Sequence, residues 1–254
     1  MTAHVLHGMF IGLTVLVGLA GGLLLSRGTR WWLSDDSRIS LVTGRRLGPA
    51  MMFGGVLLAA AAALLFPASA VIPADTVHTA AAQLTGDVSA PNSADLILTA
   101  VVLGAVAAST PFLIIFDIRI RRLPDRIVYP LILLILTALV LGTVIGHSLN
   151  WYTGFIAGVA ATLLFLALHL LGRLLRARTL GFGDVKLAFV VFALAGLFDQ
   201  WAPALVLIAM MLIAGVWAII SALRSRRLAG TTIAFGPAML SGMWLGSVLA
   251  PFLL

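Results

Sequence analysis

Two aspartates, Asp117 and Asp184, stand where long apolar runs end or begin. Asp117 closes the run STPFLIIFD, and Asp184 opens the run that continues VKLAFVVFALAGLF. An ionisable side chain at such a depth costs about 3 kcal/mol or more to bury, which makes it a functional candidate by default. Two carboxylates held together can do one particular job. Like charges at short range cannot both ionise, so the pair shares one proton. The ionised member takes a proton from water, and that water attacks a peptide carbonyl. The protonated member polarises the carbonyl oxygen and later donates to the leaving amine. Asp184 reads as a helix start and Asp117 as a helix end, so the helix dipoles alone would put the resting proton mainly on Asp117. The same boundary position also suits an acid paired with a nearby arginine, as in the run FDIRIRRLPDR.

The residues around these acids sharpen the case. Gly181 and Gly183 flank Phe182 in GFGD, and a further glycine-bearing stretch, GTTIAFGP, ends at Gly236 and Pro237. Glycine permits close backbone approach, so these stretches are expected to receive an extended peptide or a neighbouring helix. Lys186, the only lysine of the chain, lies two residues after Asp184. It can snorkel to lipid headgroups or steady the anionic form of the pair, and the residues alone leave both readings open.

The elements that must position these residues are membrane spans. Of 254 residues, 61% are hydrophobic and only 10% charged, where a soluble domain carries about 25% charged residues. Mean hydropathy is +1.14. The expected fold class is therefore all-α, a polytopic integral membrane protein. Eight apolar segments qualify, near 5–26, 48–72, 96–116, 127–145, 152–171, 185–198, 203–223 and 237–254, with the sixth short. The first is read as a retained span, because no basic region precedes it.

Charge supports this count. All 16 basic residues fall in the first, third, fifth and seventh connections: Arg27 to Arg46, Arg119 to Arg126, Arg173 to Lys186, and Arg224 to Arg227. Short basic loops stay on the cytoplasmic side, which places both termini outside and Asp117, Asp184 and Gly236 together at the inner face. The net charge of +7 then reflects topology and contact with anionic headgroups, and calls for no nucleic acid. The chain divides into an N-terminal hairpin with its loops, 1–93, and a six-span block, 94–254.

Other residues receive plainer readings. Asp35, Asp36, Asp75, Asp87, Asp95 and Asp199 are expected in solvated loops. Asp125 lies eight residues beyond Asp117. His4 and His7 lack a third metal ligand, and His169 is read as a packed, hydrogen-bonded histidine. Glycine pairs spaced GxxxG, at 142/146, 154/158 and 242/246, are read as helix packing. Trp31 and Trp32 look like interfacial anchors. With no cysteine in the chain, disulfides, thiolate metal sites and a cysteine nucleophile are excluded.

FDIRIRRLPDRIVYPL, GFGDVK and GTTIAFGP, in that order, resemble the signature blocks of the bacterial type IV prepilin peptidases, a branch of the GxGD intramembrane aspartyl proteases. Asp117, Pro124 and Asp125 fit the first block. Gly181, Gly183, Asp184 and Lys186 fit the second, and Phe235, Gly236 and Pro237 the third. The resemblance spans about 96–254. It implies that Asp117 and Asp184 are the catalytic pair, with Gly181, Gly183, Lys186, Gly236 and Pro237 around the active site. It implies as substrate a prepilin-like protein with a short basic leader, cut on the cytoplasmic side after a glycine, in the bacterial inner membrane. It implies no metal or organic cofactor. Asp125 falls at a position shared by Asn and Asp and is not taken as catalytic. Many members carry two CxxC pairs between the first two spans and methylate the new N-terminus. Here that loop, RGTRWWLSDDSRISLVTGRRLG, has no cysteine, so methylation is not part of the expectation. The alternative reading is a transporter that uses the same two aspartates as a proton or cation relay. Acids grouped at one boundary, and no clear internal repeat, count against it.

Overall fold

Within a bilayer every backbone N–H and C=O must find a partner inside its own segment, and the α-helix does this. A computed structural model of the protein describes residues 3–27, 47–66, 93–146, 148–175, 181–225 and 234–253. Trp31, Trp32, Asp35, Asp36, Asp75, Asp87 and residues 230–233 of the third block lie outside the described residues. The helices are α1 (Ala3–Arg27), α2 (Leu47–Leu65), α3 (Ser93–Ile120), α4 (Asp125–Ile145), α5 (Asn150–Leu174), α6 (Phe182–Phe198), α7 (Ala202–Ser225) and α8 (Gly236–Leu253). No strand occurs among the described residues. The expected all-helical, polytopic class is what the chain adopts, and all eight apolar segments appear as helices.

The ends differ from expectation in two places. The second segment was expected to reach residue 72, but α2 stops at Leu65. Pro67 follows closely, and proline disfavours helical geometry in the residue before it. The third was expected to end at residue 116, but α3 runs on to Ile120, so Asp117 lies inside its last turn.

Among the described residues, seven helices are long and apolar enough to cross a membrane. The exception is α6. Its 17 residues span about 25 Å at 1.5 Å per residue, less than the hydrocarbon core of about 30 Å. Every residue from Leu187 to Phe198 is buried, because α3, α4, α5, α7 and α8 all pack on this helix. The short central helix is thus shielded by its neighbours and carries Asp184 in its first turn.

Small residues set the close crossings. A Cβ on Gly196 would lie 2.6 Å from the Gly154 Cα, and one on Gly158 would lie 3.0 Å from the Ala193 Cβ, so α5 and α6 touch nearly backbone to backbone. Gly242 and Gly246 of α8 sit equally close to Met210 and Val206 of α7. These glycine pairs act in packing, as expected.

At the end of the bundle far from Asp117, one expectation fails. Asp95 is not in a solvated loop: it lies in the first turn of α3 and is 1% exposed. The Trp151 indole Nε1–H of α5 donates to its Oδ1 at 2.5 Å. Gly142 and Gly146 leave the room that the indole and the carboxylate fill. A buried carboxylate must be hydrogen-bonded to be tolerated, and a partner 56 residues away in the chain is not visible in local sequence. Asp199 is half-buried, and its Oδ1 accepts the Trp201 backbone N–H at 2.8 Å at the start of α7.

Candidate active site

Asp117 reaches its place through three features of α3. The helix carries the side chain inward on its buried face, where it is 7% exposed. The Arg121 backbone N–H then bonds to the Asp117 carbonyl at 2.9 Å and closes the last turn. Arg121 itself has φ of 55°, the left-handed conformation that usually ends a helix on glycine. The chain turns sharply there, and Pro124 and Asp125 begin α4 four residues later.

Gly236 is the first residue of α8, and its N–H donates to Asp117 Oδ2 at 3.0 Å. A Cβ at this position would fall 2.7 Å from that oxygen, closer than real side chains allow. Any side chain at this position would therefore have to displace the Asp117 carboxylate. Pro237, also buried, occupies the first turn of α8, where a missing N–H costs no helical bond. Two contacts seat this helix start. Trp244 Nε1–H donates to Thr110 Oγ1 at 3.1 Å, tying α8 to α3. Phe235 stacks at 6.3 Å on Phe165 of α5.

Asp184 is the third residue of α6 and half-buried. The Gly181 N–H donates to its Oδ2 at 3.1 Å, and the Asp184 N–H returns a bond to the Gly181 carbonyl at 3.1 Å. This reciprocal pair fixes the first turn as a capping box does. The Asp117 carboxylate lies within electrostatic reach of Asp184, and the Arg121 guanidinium within reach of Asp117.

Each carboxylate is thus met by the N–H of a residue that starts a helix, Gly236 for Asp117 and Gly181 for Asp184. With the start of α8 added to α3 and α6, helix termini no longer favour Asp117 over Asp184 as the site of the resting proton.

The two acids open on one cleft of about 510 Å³, lined by the 120–126 turn on one side and the 181–186 turn on the other. All seven residues singled out in the sequence gather at this end of the bundle, but their parts differ from expectation. Gly181 has φ of −71°, which any residue adopts, and a Cβ on Gly183 would make ordinary contact with Leu123 at 3.5 Å. The strict steric demand falls on Gly236. Lys186 does not lean on the acidic pair: its Nζ bonds Asp125 Oδ1 at 2.7 Å. The ammonium also lies 4.4 Å from the Tyr129 ring centre and 5.0 Å from that of Phe182. His169 is half-buried, with its ring 5.9 Å from Phe182. Sequence reading missed Arg121, Leu123, Tyr129 and Phe182. A signal existed for two of them: Tyr129 is one helical turn from Asp125, and Phe182 one turn from Lys186. Among the described residues, no group of three His, Cys, Asp or Glu side chains could hold a metal ion.

Residues 105–219 match the type IV leader peptidase family, the same family that the three sequence blocks resemble. The matched segment contains Asp117, Asp125, Asp184 and Lys186 and stops short of Gly236 and Pro237. No curated protein and no solved structure matches the chain.

Proposed function

On the premise of that family match, we propose that the chain is a membrane aspartyl endopeptidase that removes the short basic leader from prepilin-like proteins, with Asp117 and Asp184 as its catalytic pair. The observation that carries the reading is the arrangement of these two acids. They lie 67 positions apart in the chain, face one open cleft, and are each anchored by a single backbone N–H. An acid meant only to pack would have its remaining lone pairs covered. These keep a side open to the cleft, where water and a peptide can enter.

The chemistry follows from the geometry. The substrate enters as an extended segment along the cleft between the 120–126 and 181–186 turns. A water between the carboxylates loses its proton to the ionised acid and attacks the scissile carbonyl. The other acid donates its proton toward the carbonyl oxygen. The tetrahedral intermediate collapses as one carboxyl proton passes to the leaving nitrogen and a hydroxyl proton of the gem-diol returns to the other carboxylate, so the pair again holds one proton. Gly236 N–H and Gly181 N–H hold the two carboxylates in place through the cycle, so little reorganisation is needed. The cleft lies at the end of the bundle where Arg119, Arg121, Arg122, Arg126 and Lys186 cluster, which is the cytoplasmic end by the distribution of basic residues. The substrate's apolar helix remains in the bilayer of the bacterial inner membrane while its leader is cut at the boundary.

Cleavage of a prepilin-like precursor in water enriched in ¹⁸O tests the reaction. The new carboxyl terminus of the leader is expected to carry one labelled oxygen, and Asp117→Asn is expected to release no leader. Leader release by Asp117→Asn at the wild-type rate would overturn the assignment.

A further inference from the structure

Lys186 and Asp125 form an ion pair between the two walls of the cleft. Asp125 is the first residue of α4, and Tyr129 lies one turn later on the same face. Phe182 is the first residue of α6, and Lys186 lies one turn later. The Lys186 side chain is only 12% exposed although it carries a charge, while Asp125 is 58% exposed. Its ammonium meets the Asp125 carboxylate at 2.7 Å and the faces of Tyr129 and Phe182. A lysine that merely reached for water would lie out along the surface. This one is folded back onto α4, held by a charge-assisted bond and two cation–π contacts.

The consequence is geometric. Asp125 follows directly on the 121–124 turn that leads out of α3 and Asp117. Lys186 follows Asp184 by two residues, which turns its side chain to a different side of α6. The pair therefore ties the start of α6 to the chain leaving α3, where Leu123 lies next to Gly183. We propose that the Lys186–Asp125 pair is a positioning latch that sets the width of the cleft and holds Asp184 in register with Asp117. Both are positioning residues: neither touches the reacting atoms. Only the kinetic part of the test below rests on the protease reading.

The absence of cysteine in the chain gives a direct test. Leu123 Cβ lies 3.6 Å from where a Gly183 Cβ would stand, within the range that a disulfide bridges. The double variant Leu123→Cys/Gly183→Cys, in native membranes under mild oxidant, is expected to form an intramolecular disulfide rapidly. Adding Asp125→Asn is expected to slow that step about tenfold, while Asp125→Glu, which keeps a carboxylate for Lys186, is expected to hold it within about twofold of the original rate. Failure of the cysteines to join with the latch intact, equal rates in all three backgrounds, or equal slowing by Asp125→Glu and Asp125→Asn would each overturn the latch.

A second measurement avoids new cysteines. With a precursor as substrate, Asp125→Asn is expected to lower kcat about tenfold and leave KM unchanged, with kcat kept within about twofold in Asp125→Glu. An unchanged kcat would overturn the latch. Cleavage by Asp117→Asn in the same assay would overturn the protease reading instead, and the cross-linking rates would still decide on the latch.

Discussion

Asp95 and Asp184 are each the third residue of a helix, α3 and α6, and each is an acid at the edge of an apolar span. They have opposite fates. Asp95 is sealed beneath Trp151, which gives it an indole N–H in space vacated by Gly142 and Gly146. Asp184 receives one backbone N–H and faces a cleft shared with Asp117. Place in a helix is the same for both, so it does not by itself mark a candidate catalytic acid. What distinguishes them is the space left beside the carboxylate and a second acid across it.

This contrast can be broken by exchanging the consequences of mutation at the two ends. The largest effect is expected at the open end. Asp184→Asn should lower precursor cleavage by at least about 10³-fold, ~4 kcal/mol of transition-state stabilisation, while the unfolding midpoint in detergent stays near that of the wild type. A large fall in the midpoint would make Asp184 a structural acid like Asp95. Next comes Gly236→Ala. The added methyl must push Asp117 aside, and a displacement of about 1 Å is expected to cost roughly 100-fold in kcat, measured as initial rates on the same precursor. At the sealed end, Asp95→Ala leaves the Trp151 N–H buried without its acceptor. It should cost about 2 kcal/mol of stability, read from the unfolding midpoint, and leave kcat per folded molecule unchanged. The smallest effect is expected at Gly183. There a methyl meets Leu123 only at ordinary contact distance, so Gly183→Ala should change kcat by less than about fivefold, ~1 kcal/mol. If it proves as damaging as Gly236→Ala, the glycines of GFGD are doing something beyond packing.

The sequence revealed the parts of this molecule that depend on local composition. Runs of apolar residues disclosed eight helices, and Asp117, Asp184 and Gly236 announced themselves by position and by their glycine neighbours. What stayed hidden was contact across the chain. Nothing near Asp95 tells of Trp151, so a buried acid looked like a loop residue. Nothing near Lys186 tells that its partner is Asp125 rather than the acidic pair. The glycines of GFGD were expected to be the tight points, yet at the cleft the tight approach is that of Gly236 to Asp117, 119 residues away. Helix ends also shifted by a turn: α3 continues past Asp117 because nothing forbids a helix before the left-handed Arg121.

The most direct test of the account sets three acids side by side. Purified wild type, Asp117→Asn, Asp184→Asn and Asp95→Asn would each be placed in lipid vesicles with one prepilin-like precursor, and the products read by mass. The account predicts a single cut by the wild type and by folded Asp95→Asn, and none by the other two. Cleavage by either Asp117→Asn or Asp184→Asn within about tenfold of the wild-type rate, ~1.4 kcal/mol, would contradict it.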